Sequence, residues 1–170
     1  MFAAGDLVVY GGEGVCRVEG VGTPDTAGID KTKAYYTLSP LYRTGQVMTP
    51  VDTSVLMRPV MTAEEAAEFL RQLPRLEPEE PAGAGQRAVK EHYHAVVTSY
   101  DCRRMAAMIK HICQRRCWAQ KRGRKVSQLD ERYLRRAEEQ LYGELAAALN
   151  LPRQDVCQYI QQTYPTWPEG

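Results

Sequence analysis

Twelve lysines and arginines lie between Asp101 and Arg136 against three acidic residues, in a 170-residue chain whose overall balance is 22 basic to 21 acidic. They are Arg103, Arg104, Lys110, Arg115, Arg116, Lys121, Arg122, Arg124, Lys125, Arg132, Arg135 and Arg136. Exposed charges act over roughly 10 Å at ordinary salt, so such a stretch attracts a polyanion whatever the net charge. The same run also reads as a solvated helical face, and the residues alone leave both readings open. Trp118 stands among these cations, beside Arg115, Arg116, Lys121 and Arg122. A ring so placed can stack on a base or sugar. The expectation for Trp118 is instead that it packs over the end of its helix and closes the core. Trp167, near the terminus, is expected in a disordered or loosely docked tail.

Other chemistry finds no constellation. His92 and His94 are two apart, which places them on different sides of a helix. Cys113, Cys117 and His111 are close in sequence but lack a fourth ligand for zinc. Gly11-Gly12-Glu13-Gly14 is followed by strand-forming residues rather than a helix, so no helix N-terminus is there to hold a phosphate. Glu64, Glu65 and Glu68 suit the first turn and solvent face of a helix. No catalytic residue, metal or cofactor is expected. The five cysteines read as reduced, buried thiols, which suits the cytosol. No apolar run approaches the roughly 20 residues that span a bilayer, and MFAAGDLVVY lacks the features of a signal peptide. A cytoplasmic protein without a membrane partner is expected.

The elements that must position these residues fall into two kinds. Leu7–Tyr10, the alternating 15–21 run, 34–38, 46–51 and 55–58 read as five short strands with tight turns, a small barrel or strongly bent sheet. From Thr62 the pattern becomes helical, beginning with the capping box Thr62-Ala63-Glu64-Glu65. Pro74 stops that helix, and a Pro/Glu/Gly/Ala linker runs to Gly85. Further helices are predicted over 87–100, from the N-cap Asp101, from the N-cap Ser127, and after Pro152, the last burying Val156, Tyr159 and Ile160. Met105, Met108, Ile109 and Ile112 form the core face of the helix begun at Asp101. The fold class is therefore α+β: a β module over 1–60, a connecting helix and linker over 61–85, and an all-α bundle over 86–165.

GDLVVYGGEGVCRVEGV and KAYYTLSPLYRTGQVMTPVD resemble the RNA-polymerase-interacting domain of CarD-like bacterial transcription regulators, a domain also found in the transcription-repair coupling factor. RKVSQLDERYLRRAEEQLYGELAAAL resembles the last helix of the same regulators. The resemblance implies a Tudor/SH3-like barrel that pairs a strand with the β-subunit lobe of RNA polymerase, through Tyr36, Arg43, Gln46, Val47, Met48 and Thr49. It also implies a helical domain on promoter DNA near the upstream edge of the transcription bubble. There the family places a tryptophan wedge, whereas this chain has Gln86-Arg87-Ala88-Val89-Lys90. A few extra residues sit around Cys117 to Arg124 and include Trp118. The candidate DNA contacts are Arg87, Lys90, Arg103, Arg104, Arg115, Arg116, Trp118, Lys121, Arg122, Arg124 and Lys125, the charged ones in phosphate-type roles that carry no sequence specificity. The function so implied is a monomeric, non-enzymatic regulator that modulates the open complex at initiation. A polymerase-binding adaptor with little DNA binding and a DNA-repair-associated module are the alternatives.

Overall fold

Apolar residues alternating along Leu7–Gly22 set the first sheet, and apolar residues three and four apart set the helices after Thr62. A computed structural model describes residues 1–169 and divides after Val60 into two compact units.

The first unit is an antiparallel sheet of β1 (Leu7–Tyr10), β2 (Gly14–Gly22), β3 (Tyr35–Pro40), β4 (Val47–Pro50) and β5 (Met57–Pro59). Its order is β4-β3-β2-β1-β5, so β4 and β5 are the two edges. The turn between β1 and β2 needs Gly12 and Gly14, whose φ of 87° and 80° lie where a side chain is strained. A register shift between Val18 and Gly20 bends β2. The bend brings β1 and β4 face to face across the interior, where Tyr10 Oη donates to Thr49 Oγ1 at 3.1 Å. Val8, Tyr10, Cys16, Val18, Tyr36 and Leu38 fill the space between, with Phe2 and Met57 against them. This strongly bent sheet is Tudor-like, and with the helices that follow it makes the chain α+β.

The second unit contains α1 (Ala63–Gln72), α2 (Gln86–Ser99), α3 (Cys102–Lys121), α4 (Gln128–Leu149) and α5 (Val156–Thr163). Thr62 and Glu65 make the predicted capping box, Asp101 accepts from the amides of Arg103 and Arg104, and Ser127 from that of Asp130. α4 packs against all four other helices. Its Leu134, Ala137, Leu141 and Leu145 are buried, as are Met105, Met108, Ile109 and Ile112 of α3 and Tyr93, Val96 and Val97 of α2. Among the described residues, no helix is long and apolar enough to cross a membrane.

Several placements differ from expectation. Residues 61–85 pack into the helical unit instead of merely connecting to it. Glu144, fully buried on α4, accepts from the Met61 amide and from Cys102 Sγ, each at 3.1 Å. Lys110 is buried and donates to the carbonyls of Leu73 and Leu76. The Glu79 amide donates to the Ala107 carbonyl at 3.1 Å. Trp167 is 2% exposed rather than loose, with Nε1 donating to Tyr142 Oη at 2.8 Å. Tyr159 is exposed, because α5 turns Val156 and Ile160 inward and leaves Tyr159 off that stripe. Cys16, Cys102 and Cys113 are buried, but Cys117 is exposed and Cys157 half-buried.

Burial, against the pull of Arg116, pushes the Glu138 carboxyl up to about 7 from 4.5. The folded protein therefore binds more protons here than the unfolded chain between these values, and stability falls as pH rises through that window. Glu138→Gln is expected to flatten this part of the curve of urea midpoint against pH. Identical slopes for variant and parent between pH 4.5 and 7 would refute it.

Candidate nucleic-acid interface

The helical unit sorts its cations by what faces them. Arg104 forks onto Glu79, with Nη2 2.7 Å from Oε1. Arg115 Nε donates to Asp130 Oδ2 at 2.9 Å, while Tyr93 Oη donates to the other oxygen at the same distance. Burial and the Asp130 charge push the Tyr93 hydroxyl far up, so it stays a donor. Arg116 lies 3.7 Å from Glu131 and donates to the Glu169 carbonyl at 2.6 Å. Arg87 pairs with Glu91 one helical turn on, at 3.0 Å. Arg103 donates to Gln72. The guanidinium carbons of Arg132 and Arg136 sit 5.4 and 5.3 Å from the Tyr133 ring centroid. The exposed pair Arg87–Glu91 stabilises little, on the order of 0–1 kcal/mol, yet the carboxylates facing Arg87, Arg104, Arg115 and Arg116 cancel charge a polyanion would otherwise meet.

A second set is free of carboxylates. Lys121, Arg122, Arg124 and Lys125 are exposed, and among the described residues none has an acidic oxygen within 4.0 Å. Lys90 is exposed on α2. The four follow one another at the end of α3 and in the loop to α4, where Gly123 takes a φ of 62°. Arg103, Arg132, Arg135 and Arg136 likewise have no acidic oxygen within 4.0 Å among the described residues, so the unpaired positive charge is densest at the α3–α4 corner and continues along α4.

Trp118 belongs to that corner. It is 47% exposed, with the guanidinium carbon of Arg122 at 4.2 Å and that of Arg124 at 5.2 Å from its ring centroid. The expected core-closing role is overturned. Burial along α3 ends at Cys113, and Trp118 follows Gln114, Arg115 and Cys117 in the exposed last turns of the helix.

On the sheet, the other candidates lie on β3 (Tyr36), on the edge strand β4 (Val47, Met48 and Thr49) and in the segment before it (Arg43 and Gln46). Tyr36 and Thr49 point inward, each 3% exposed, so their side chains cannot be surface contacts. Arg43 is exposed but holds Glu13 at 2.7 Å and the Gly12 carbonyl at 3.1 Å. Gln46 is exposed and Val47 half-buried, while Met48 is 42% exposed. The register gives the backbone directions. Tyr36 faces Thr49 and Leu38 faces Val47, and the Val51 amide donates to the Ala34 carbonyl at 3.0 Å. Residues 47, 49 and 51 thus bond inward to β3, and Met48 and Pro50 turn their backbone groups outward. Pro50 has no N–H, so Met48 supplies the outward amide of this strand. Sequence reasoning placed the contact here but could not see that it is the main chain of Met48 that is free.

Residues 2–61 match the family model of the CarD-like/TRCF RID domain, the RNA-polymerase-interacting domain. The match ends at the boundary between the units and covers the whole bent sheet. No curated protein matches the chain. The domain ties the chain to RNA polymerase and to transcription, through a module of the interacting kind.

Proposed function

We propose, since residues 2–61 are a CarD-like/TRCF RNA-polymerase-interacting domain, that the chain is a non-enzymatic transcription regulator bridging polymerase and promoter DNA. β4 adds its free edge to a strand of the polymerase β-subunit lobe, drawing affinity from main-chain hydrogen bonds. The α3–α4 corner holds promoter phosphates and acts as a monomer in the cytoplasm, at the nucleoid. The observation that carries the DNA half is the run of four unpaired cations, Lys121, Arg122, Arg124 and Lys125, around an exposed tryptophan. Arg87, Arg103, Arg104, Arg115 and Arg116 play a smaller part, because acids or amides already occupy them. A factor that grips the open complex better than the closed one stabilises the open form by that difference.

Four phosphate contacts give a slope of log affinity against log salt of roughly −3.5 on duplex DNA, about 0.9 per contact. The variant with Lys121, Arg122, Arg124 and Lys125 all changed to alanine is expected to lose most of that slope. An unchanged slope in the variant would place the DNA contact elsewhere. Open-complex lifetime on one promoter, with and without the protein, tests the regulatory step.

One observation favours a second reading, a polymerase-bound adaptor with little DNA binding. Four arginines of the basic stretch and its approach are matched by carboxylates, and the 86–90 segment lacks a tryptophan. That reading gives weak DNA binding and a slope near zero already in the parent chain.

A further inference from the structure

A pocket of about 460 Å³ opens beside the free cations, between the second half of α3, the 124–127 loop and the start of α4. Its size is that of small-molecule sites, which run from about 300 to 1,000 Å³. Trp118, Arg124, Lys125 and Ser127, the N-cap of α4, line it, with the Arg124 guanidinium carbon 5.2 Å from the indole centroid. The N-terminal end of α4 adds to the positive potential there. Asp130 also lines the pocket, but its two oxygens are taken by Tyr93 and Arg115.

His111 marks the site as more than a charged surface. It lines the same pocket, is only 8% exposed, and its buried Nε2 has no hydrogen-bond partner. A buried polar nitrogen without a partner is costly and calls for a ligand atom or water. Burial, with Arg115 nearby, holds this imidazole below its usual range, so at neutral pH it is uncharged, with one N–H donor and one bare nitrogen. Gln114, one turn on, is exposed on the same face of α3 and adds an amide that both donates and accepts. The pocket therefore offers an aromatic face, neutral groups that can read a heterocycle's edge, and cations for an anion.

We propose that this pocket is a nucleotide site, in which a base stacks on Trp118 with its polar edge toward Gln114 and His111 and its phosphate on Arg124 and Lys125. Glu80, on the wall with His111, disfavours a phosphate at that end and sets the orientation. The nucleotide is either free or an unpaired unit of a strand. In the second case the site deepens the reading of this corner as a DNA-contacting surface. It then adds what phosphate contacts alone lack, a means to prefer unpaired DNA over duplex.

The test uses the full chain with three probes: adenosine 5′-monophosphate, an eight-nucleotide single strand, and a duplex of the same sequence. Tryptophan emission reports stacking, because Trp167 is buried on Tyr142 and Trp118 is open. Saturable quenching by the single strand is expected in the parent chain, and by the anisotropy of a fluorescein-labelled strand Trp118→Ala and the double variant Arg124→Ala/Lys125→Ala should each weaken binding about tenfold or more. All three changed side chains are exposed, so an unaltered melting temperature separates lost binding from lost folding. Quenching by the mononucleotide as well identifies a free nucleotide as a ligand, and quenching by the strand alone identifies an unpaired unit. The proposal is overturned if neither quenches, or if duplex binds as tightly as single strand and Trp118→Ala changes nothing. That last result would leave the phosphate-holding surface standing. Mononucleotide binding without duplex binding would do the reverse.

Discussion

Met48→Pro is expected to weaken binding to the polymerase β-subunit lobe by at least about tenfold while the sheet keeps its fold. The substitution removes the outward amide of β4 and sets a pyrrolidine ring in the path of an incoming strand. It should spare β3–β4 pairing, because residues 47, 49 and 51 make the inward bonds. Proline is tolerated on edge strands where its nitrogen faces outward, and Pro50, two residues on, already occupies that position. Val47, the residue before the new proline, is pushed toward extended backbone, which it already has as the first residue of β4. Met48→Ala is the control: it keeps the amide and should bind nearly as well as the parent. Pull-down or interferometry against the isolated lobe measures both. Wild-type affinity in Met48→Pro would mean that β4 is not the docking edge.

Trp167→Ala is expected to destabilise the helical unit by about 3 kcal/mol, the lower end of the range for truncating a large buried aromatic. The ring is 2% exposed, and its removal leaves both a cavity and a buried Tyr142 hydroxyl without its donor. Undocking recovers some chain entropy for the residues after α5, which is why the low end of the range applies. Tyr142→Phe separates the contributions, since it keeps the ring and removes only the hydroxyl that meets Trp167 Nε1 and Cys157, and it should cost about 1 kcal/mol. Urea denaturation of the full chain reads both values. Undocking also uncovers Cys157, whose Sγ lies 3.8 Å from the Pro168 carbonyl, so thiol labelling should accelerate in Trp167→Ala. A cost under about 1 kcal/mol with unchanged labelling would show that the tail adds nothing to the core.

The two tryptophans show where sequence reasoning stops. Trp118 was expected inside and is exposed; Trp167 was expected loose and is buried. Whether a ring is covered depends on what is packed against it, and for Trp167 that is Tyr142, 25 residues away on α4. The cations divide for the same reason. Arg104 meets Glu79 across 25 residues, and Lys110 caps the Leu73 carbonyl across 37. A count of positive charge therefore overstates the face that a polyanion can reach.

What the chain announces by itself is local chemistry. Period-two and period-3.6 apolar spacing places the five strands and five helices, because side-chain direction follows from backbone geometry within a few residues. Thr62, Asp101 and Ser127 start their helices where expected, since a cap needs only its own oxygen and an amide two or three residues on. The stretches that resemble a polymerase-interacting domain coincide with the unit that matches that family. Tertiary structure alone decided which cations remain unpaired, which backbone amide of β4 faces outward, and that Glu80 and the start of α4 close a pocket around His111 and Trp118. Each of those depends on contacts between residues distant in sequence, whose meeting is set by the packing of whole helices and the register of whole strands.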